Sequence, residues 1–569
     1  MIEIKLSVAT QIVEKLKTLN SELELCAADV ADMLEYPPDA KMGDLALPCF
    51  KMSKALRMPP VKIAATIAEG FCAPCVARAE AIGGYFNMFL DGDALVKRVV
   101  GEALDKGESY GAPDIGKGKT VVLDYSSPNV AKPFHIGHLG TTVIGHSLKK
   151  LHEFAGYKCV GINYLGDWGT QFGKLIVAYR KWGSEEQVVA GGVDSLVELY
   201  VRINNAIAED ATLADEARAE FRKLEDGDEE NLKLWRWFID ISLAEYQKTY
   251  AQLGITFDSY KGESFYTDKM PAQVQKLRDM GLMRIDDGAS IVDLEEYGMP
   301  PCLILKRDGS TLYPTRDIAA AVYRKETYDF DKAIYVTSAG QSLHFAQWFK
   351  VVELMGYDWH DKLVHVPYGT VSINGEKLAT RTGNVILLRD LFALAIEKIA
   401  GIMDEKNPDL EGKDRIAEQI GVGAVVFYYL SNNRIKDINF VMDDALNFDG
   451  NTGPYVQYTY ARTCSVLSKA GEFDASNITV TAGEEVELVK AIARFEETVR
   501  EAIDTYEPSV ITRYILDVAG AYNRFYHNCT ILGATDESVK ATRLALTAAA
   551  KTVLGNAFGL ICLAKTEKV

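Results

Sequence analysis

Apolar positions along the chain change their period several times, and each change marks an element. Val121, Val122 and Leu123 form a short apolar run that ends at Ser126, Ser127 and Pro128; Leu139, Val143, Ile144 and Leu148 then recur at helical spacing. Residues 121–148 therefore read as strand, loop, helix. The stretch CVGINYLGDWG repeats the order, running into a glycine-rich turn before an apolar helix at 175–179. Such repetition predicts a doubly wound parallel sheet, whose ligands sit beyond the carboxyl ends of the strands. Residues 1–117 alternate short helices with strands and close on the apolar GGYFNMFL, with GKGKT as linker. From about 184 to 254 the period is helical, with Trp235, Ile239, Leu243, Tyr246, Tyr250 and Leu253 three to four apart; the reading assigns this module no chemistry. Beyond 395 helical periodicity dominates. The expected architecture is multidomain α/β: an N-terminal α+β domain over 1–117, a Rossmann-like catalytic domain over 118–395 with a helical insertion at about 184–254, and an all-α domain over 396–569.

Composition narrows the class. The chain has 569 residues, 48% hydrophobic and 25% charged, an ordinary globular balance with room for several cores. Its N-terminus lacks the apolar core of a signal peptide and its most apolar late stretch is too short to span a bilayer, so a cytoplasmic protein is expected. Nine scattered cysteines suggest reduced thiols, and Cys72 with Cys75 is a lone CxxC without a second pair. A net charge of −18 argues against a general nucleic-acid binder, DNA included. A folded RNA held on a local basic face remains compatible with it. Lys41, Lys51, Lys54, Arg57 and Lys62 could form such a face, or an ordinary solvated one.

The chemistry concentrates between the first strand and its helix. His135 and His138 stand three apart on one face with Gly137 between them, where backbone can approach a ligand closely. A helix N-terminus with two imidazole donors suits a nucleotide phosphate. Zinc fits less well, because His146 and His152 bring no cysteine or carboxylate pattern. Further on, Tyr313 and Asp317 are four apart on one helical face, and a carboxylate can pair a guanidinium bidentately; by spacing alone such a pair is more often surface decoration.

The strings SSPNVAKPFHIGH and NYLGDWGTQFG together resemble the signature of arginyl-tRNA synthetases, a class I aminoacyl-tRNA synthetase family, and the resemblance extends over almost the whole chain. It implies ATP-dependent ligation of L-arginine to tRNA(Arg) through an arginyl-adenylate, with Mg²⁺ accompanying ATP and no tightly bound metal. It implies that His135, Gly137, His138 and Lys377 hold ATP, and that Ser127, Pro128, Asn129, His138, Tyr313, Asp317 and Gln341 hold arginine. Glu263 could face the same site, with His344 and Gln347 as neighbours of open role. Residues 371–388 occupy the place of the mobile KMSKS loop, but Thr380 stands where its second lysine belongs. Lys132 or Arg381 would supply the missing charge, and both join His135, His138 and Lys377 as catalytic candidates. The KMSK at 51–54 precedes the nucleotide strand and reads as a chance match. The N-terminal segment is similar to a domain that contacts the tRNA elbow, with Phe86, Asn87 and Phe89 as stacking candidates; Tyr458, Arg462, Tyr522 and Arg524 are the anticodon-side candidates. Gly140 replaces a usual arginine, His146 a usual aspartate, and Val569 a usual methionine. A monomer is expected. The alternatives are a small nucleotidyltransferase of the same superfamily, which would not need the terminal domains, and a non-catalytic tRNA-binding relative, which would have lost the histidines and the cationic loop.

Overall fold

A computed structural model describes residues 1–20, 23–377, 386–475 and 477–569. At its centre lies a four-stranded, fully parallel sheet whose spatial order is Leu363–Tyr368, Lys332–Ser338, Thr120–Asp124, Lys158–Ile162. The chain thus leaves Thr120–Asp124 first toward one edge and later toward the other. That strand and Lys332–Ser338 flank the topological switch point, where an open α/β sheet leaves a crevice at the carboxyl ends. All four strands read as apolar runs because helices cover both faces. On one face the helix Leu139–Phe154 is buried nearly throughout, against the sheet and against the C-terminal helix Glu537–Leu560.

Between the second and third strands the chain inserts helices Glu185–Glu209, Thr212–Glu225 and Glu229–Gln252, which build their own apolar cluster around Phe172, Leu196 and Phe238. A small antiparallel sheet, Met283–Asp286, Ala289–Val292 and Cys302–Leu305, follows. The stretch beyond 395 packs long helices but also returns one strand, Ile438–Phe440, which pairs in parallel with Val371–Ile373 at the base of the cationic loop. Short polar-flanked strands of this kind carry too little periodicity to be read from sequence.

At the N-terminus Leu45–Pro48, Tyr85–Leu90 and Val76–Ile82 form an antiparallel sheet in that order. This unit rests directly on the C-terminal helices: the terminal amine of Met1 donates to the carbonyl of Ala493 at 2.6 Å, and Lys490 pairs with Asp44 at 2.6 Å. No described helix is long and apolar enough to cross a membrane.

Candidate active site

The loop leaving Thr120–Asp124 is built under constraint. Ser126, Ser127 and Ala131 have φ of 70°, 43° and 56°, a region that costs a side chain energy and persists only where neighbours enforce it. Backbone bonds supply part of the enforcement: Gly166 donates to the carbonyl of Pro128 at 3.1 Å and Val130 donates to that of Gly166 at 3.2 Å. A Cβ on Gly166 would lie 2.1 Å from Asn129 Oδ1, so any larger residue there would have to displace the Asn129 side chain.

The loop ends in the single turn Ile136–His138. The N–H of Gly137 donates to His135 Nδ1 at 3.0 Å, and the N–H of His135 donates to His138 Nδ1 at 3.2 Å. Each Nδ1 is an acceptor, so each neutral ring carries its hydrogen on Nε2. Burial, with Lys132 adding to it, lowers the His135 pKa, and burial together with His135 takes His138 down to about 3. The pair therefore offers two neutral N–H donors at physiological pH. Phe134 stacks on His138 with centroids 5.1 Å apart and fixes that ring's plane. Lys132, partly buried, has its pKa lowered by desolvation, with Glu263 opposing.

Ile136 donates to the carbonyl of Ile386 at 3.2 Å, Leu388 donates to that of Phe134 at 2.9 Å, and His135 bridges Leu387. The exit of the cationic loop is thereby fastened to the histidine segment. Thr380, Arg381 and the side chain of Lys377 lie outside the described residues; the backbone of Lys377 pairs with Ser372.

Across the switch point the helix Tyr313–Tyr328 brings carboxylates together. Asp317 Oδ2 lies 2.6 Å from His344 Nε2, in the first turn of Ser342–Leu354, beside Gln341. Glu263 pairs with Arg316 at 2.7 Å, and burial raises its pKa to about 7 despite that partner. Asp124 pairs with Arg324 at 2.7 Å and accepts the Ser127 hydroxyl at 2.9 Å. Tyr164 carries a buried hydroxyl that meets no partner among the described residues, in a surround shared by the carboxylates of Asp317 and Glu263 and the guanidiniums of Arg316 and Arg324. Tyr313 begins the helix and is 67% exposed. Spacing revealed neither Arg324 nor Tyr164; a lone arginine inside an apolar helix was the available signal for the first.

Three RNA-stacking candidates are corrected. Phe86 and Asn87 are buried at 0% and 2% because their strand is the middle one of its sheet, and Phe86 packs on Phe71. Tyr522 is 0% exposed on the core face of Ser509–Asn528. Phe89 lies under the Arg78 guanidinium, 3.4 Å from its ring centroid. The exposed aromatics are instead Tyr85 and Phe50, in edge contact at 5.6 Å. On the C-terminal domain a groove of about 650 Å³ is lined by Tyr458, Arg462, Lys469, Tyr526 and Val569, with the Arg462 guanidinium 5.1 Å from the Tyr458 ring and 4.8 Å from that of Tyr526. Arg524 is exposed.

Gly140 and His146 have local explanations. A Cβ on Gly140 would lie 2.2 Å from the Tyr429 hydroxyl, and His146 Nδ1 sits 3.2 Å from the buried hydroxyl of Tyr125.

Three family descriptions match the chain: "tRNA synthetases class I (R), catalytic domain" over residues 99–442, "Arginyl tRNA synthetase N terminal domain" over 7–90 and "DALR anticodon binding domain" over 456–569. The arginine–tRNA ligase of Alkaliphilus metalliredigens is 48% identical over 545 residues, 95% of this chain and 96% of that one. That of Clostridium beijerinckii is 47% identical over 97% of this chain and 98% of its own. Among solved structures, the Thermus thermophilus arginyl-tRNA synthetase matches with a TM-score of 0.84 at 24% identity, covering 100% of both chains, and the Plasmodium falciparum enzyme with 0.82 at 22%, covering 100% of this chain and 99% of that one.

Proposed function

The chain belongs to the arginyl-tRNA synthetase family of class I aminoacyl-tRNA synthetases, and from that premise we propose how its residues divide the work. The protein is an arginine–tRNA ligase, using ATP to charge tRNA(Arg) with L-arginine. Arginine's carboxylate attacks the α-phosphate, pyrophosphate leaves, and the terminal ribose of the tRNA then takes the arginyl group from the adenylate, releasing AMP. Positioning and electrostatics suffice for such phosphoryl chemistry, and no protein nucleophile is needed.

In this reading the two Nε2–H donors of His135 and His138 meet phosphate oxygens, Gly137 lies beneath the nucleotide, and Lys377 closes from the loop. Lys132 carries the charge that Thr380 cannot, with Arg381 as the rival. Ser127, Pro128, Asn129 and His138 border arginine's amine and carboxylate, while Asp317 takes the guanidinium, steadied by His344, with Tyr313 and Gln341 alongside. Magnesium would ride on the nucleotide. The histidines are not suited to hold it, since their Nδ1 atoms already accept backbone N–H groups and their Nε2 atoms carry hydrogen. Among the described residues no three His, Cys, Asp or Glu gather where a metal could sit.

The tRNA would meet two surfaces: Tyr85 and Phe50 among the N-terminal cations, and the Tyr458, Arg462, Tyr526 groove with Arg524 at the other end. The protein would work in the cytoplasm as a monomer, which fractionation and sedimentation test. Domain limits near 117 and 395 stand beside family matches that end at 90 and 442.

The observation that best supports this division of work is the pairing of His135 with Leu387, which fastens the exit of the cationic loop to the histidine turn. Pyrophosphate exchange tests it with each amino acid, with and without tRNA. Exchange with arginine alone, dependent on tRNA as the family implies, is expected. Equal exchange with other amino acids would overturn the substrate, and vigorous exchange without tRNA would overturn the dependence.

A further inference from the structure

The last helix of the insertion, Glu229–Gln252, presents three hydroxyls to the signature loop from one face. Ser242, Tyr246 and Tyr250 stand four residues apart and are exposed by 0%, 0% and 1%. The N–H of Ala131 donates to Ser242 Oγ at 3.0 Å. The Tyr246 hydroxyl lies 2.8 Å from the carbonyl oxygens of both Asn129 and Lys132. Tyr250 Oη lies 2.7 Å from Ser126 Oγ and accepts from Asn163 Nδ2 at 2.9 Å. These contacts fall on or beside the residues at positive φ, so the helix supplies restraint that the loop's own sequence lacks.

We infer that Tyr246 is a positioning residue for the adenylation step. Its single hydroxyl spans the turn from Asn129 to Lys132, and so sets the backbone from which the Lys132 side chain departs toward the phosphate site. The inference rests on the reading that Lys132 serves the phosphates. The ring of Tyr246 acts separately, through packing; its centroid is 5.4 Å from that of Phe134, which in turn stacks on His138. Removing only the oxygen leaves that packing in place. A lysine whose stem wanders loses little ground-state binding but places its charge poorly in the transition state, so the loss belongs in kcat.

The test is a double-mutant cycle on the full-length protein, in pyrophosphate exchange with tRNA present: wild type, Tyr246→Phe, Lys132→Ala and the double variant. Tyr246→Phe should lower kcat on the order of 10-fold with KM for arginine and ATP within about twofold, and should cost less than about twofold once Lys132 is gone. Losses that multiply in the double variant, a loss confined to KM, or a Tyr246→Phe enzyme at wild-type rate would each overturn the positioning role. Lys132→Ala at wild-type rate would instead strike the underlying reading of Lys132. A melting temperature of Tyr246→Phe within a few degrees of wild type excludes general unfolding as the cause.

Discussion

Asp317 has a setting that spacing does not contain. Four residues after Tyr313 on a helix, it could have been surface decoration; its 2.6 Å contact with His344 leaves one carboxylate oxygen committed and the other available. If that oxygen meets the guanidinium, Asp317→Asn should raise the arginine KM by an amount equivalent to about 2–4 kcal/mol and leave ATP binding unchanged, since a buried cation loses its partner. Steady-state kinetics decide, and an unchanged arginine KM removes Asp317 from the pocket. Lys132 has a different signature. Losing a donor that acts on the transition state should lower kcat of activation by about 100- to 1000-fold with little change in arginine KM, and adding Thr380→Lys should return part of the rate. A nearly dead Arg381→Ala beside a healthy Lys132→Ala would move the charge into the loop. The residues that sequence misjudged failed through burial. Phe86 and Tyr85 are adjacent aromatics in one strand, and only sheet pairing decides which of them faces the core and which faces solvent.

At the scale of elements, the strand, loop, helix order of 121–148 and the sheet class were legible because periodicity and turn chemistry agreed. The role of the inserted helices was not, because a helix that seats a loop looks in sequence like any amphipathic helix. The departure at Gly140 was visible as an oddity, yet its cause lies far along the chain, at Tyr429 in the helix Lys413–Leu430. At this position the chain brings two helices together with a phenol between them. Gly140→Ala should therefore destabilise the protein by about 1–3 kcal/mol through overpacking, and a companion Tyr429→Leu should recover much of that loss. Denaturant unfolding of the four corners of the cycle measures the coupling. Independent, additive effects would show that the contact has room to relax.

At the scale of the whole molecule, the catalytic sheet, the C-terminal helices and the N-terminal unit share buried boundaries, and one of them carries a histidine that cannot accept a proton cheaply. His152 is 1% exposed; its Nδ1 lies 2.7 Å from the carbonyl of Leu148, which makes that nitrogen the donor and leaves a buried Nε2 without a partner among the described residues. It packs beside Tyr506 from the C-terminal domain, with Lys332 close by. Burial, the larger cause, and the lysine together hold its pKa down at about 4, with the Leu148 hydrogen bond opposing them. Between that value and the ordinary 6.5 the unfolded chain binds a proton that the folded one refuses, so this histidine's contribution to stability is intact above about pH 6.5 and drains away as pH falls toward 4. The greatest slope from one such group is about 1.4 kcal/mol per pH unit. Glu263, with its pKa raised to about 7, acts in the opposite sense, since the folded state holds its proton until the pH climbs through 7. The net dependence therefore mixes signs, and only a difference between variants isolates the interface. His152→Gln should flatten the fall in unfolding free energy between about pH 6.5 and 4.5 relative to wild type, by up to that single-proton slope, whatever it does to stability at about pH 8. Parallel pH profiles for the two proteins would mean that His152 takes its proton in the folded state, with the domain boundary opening to water before the domains unfold.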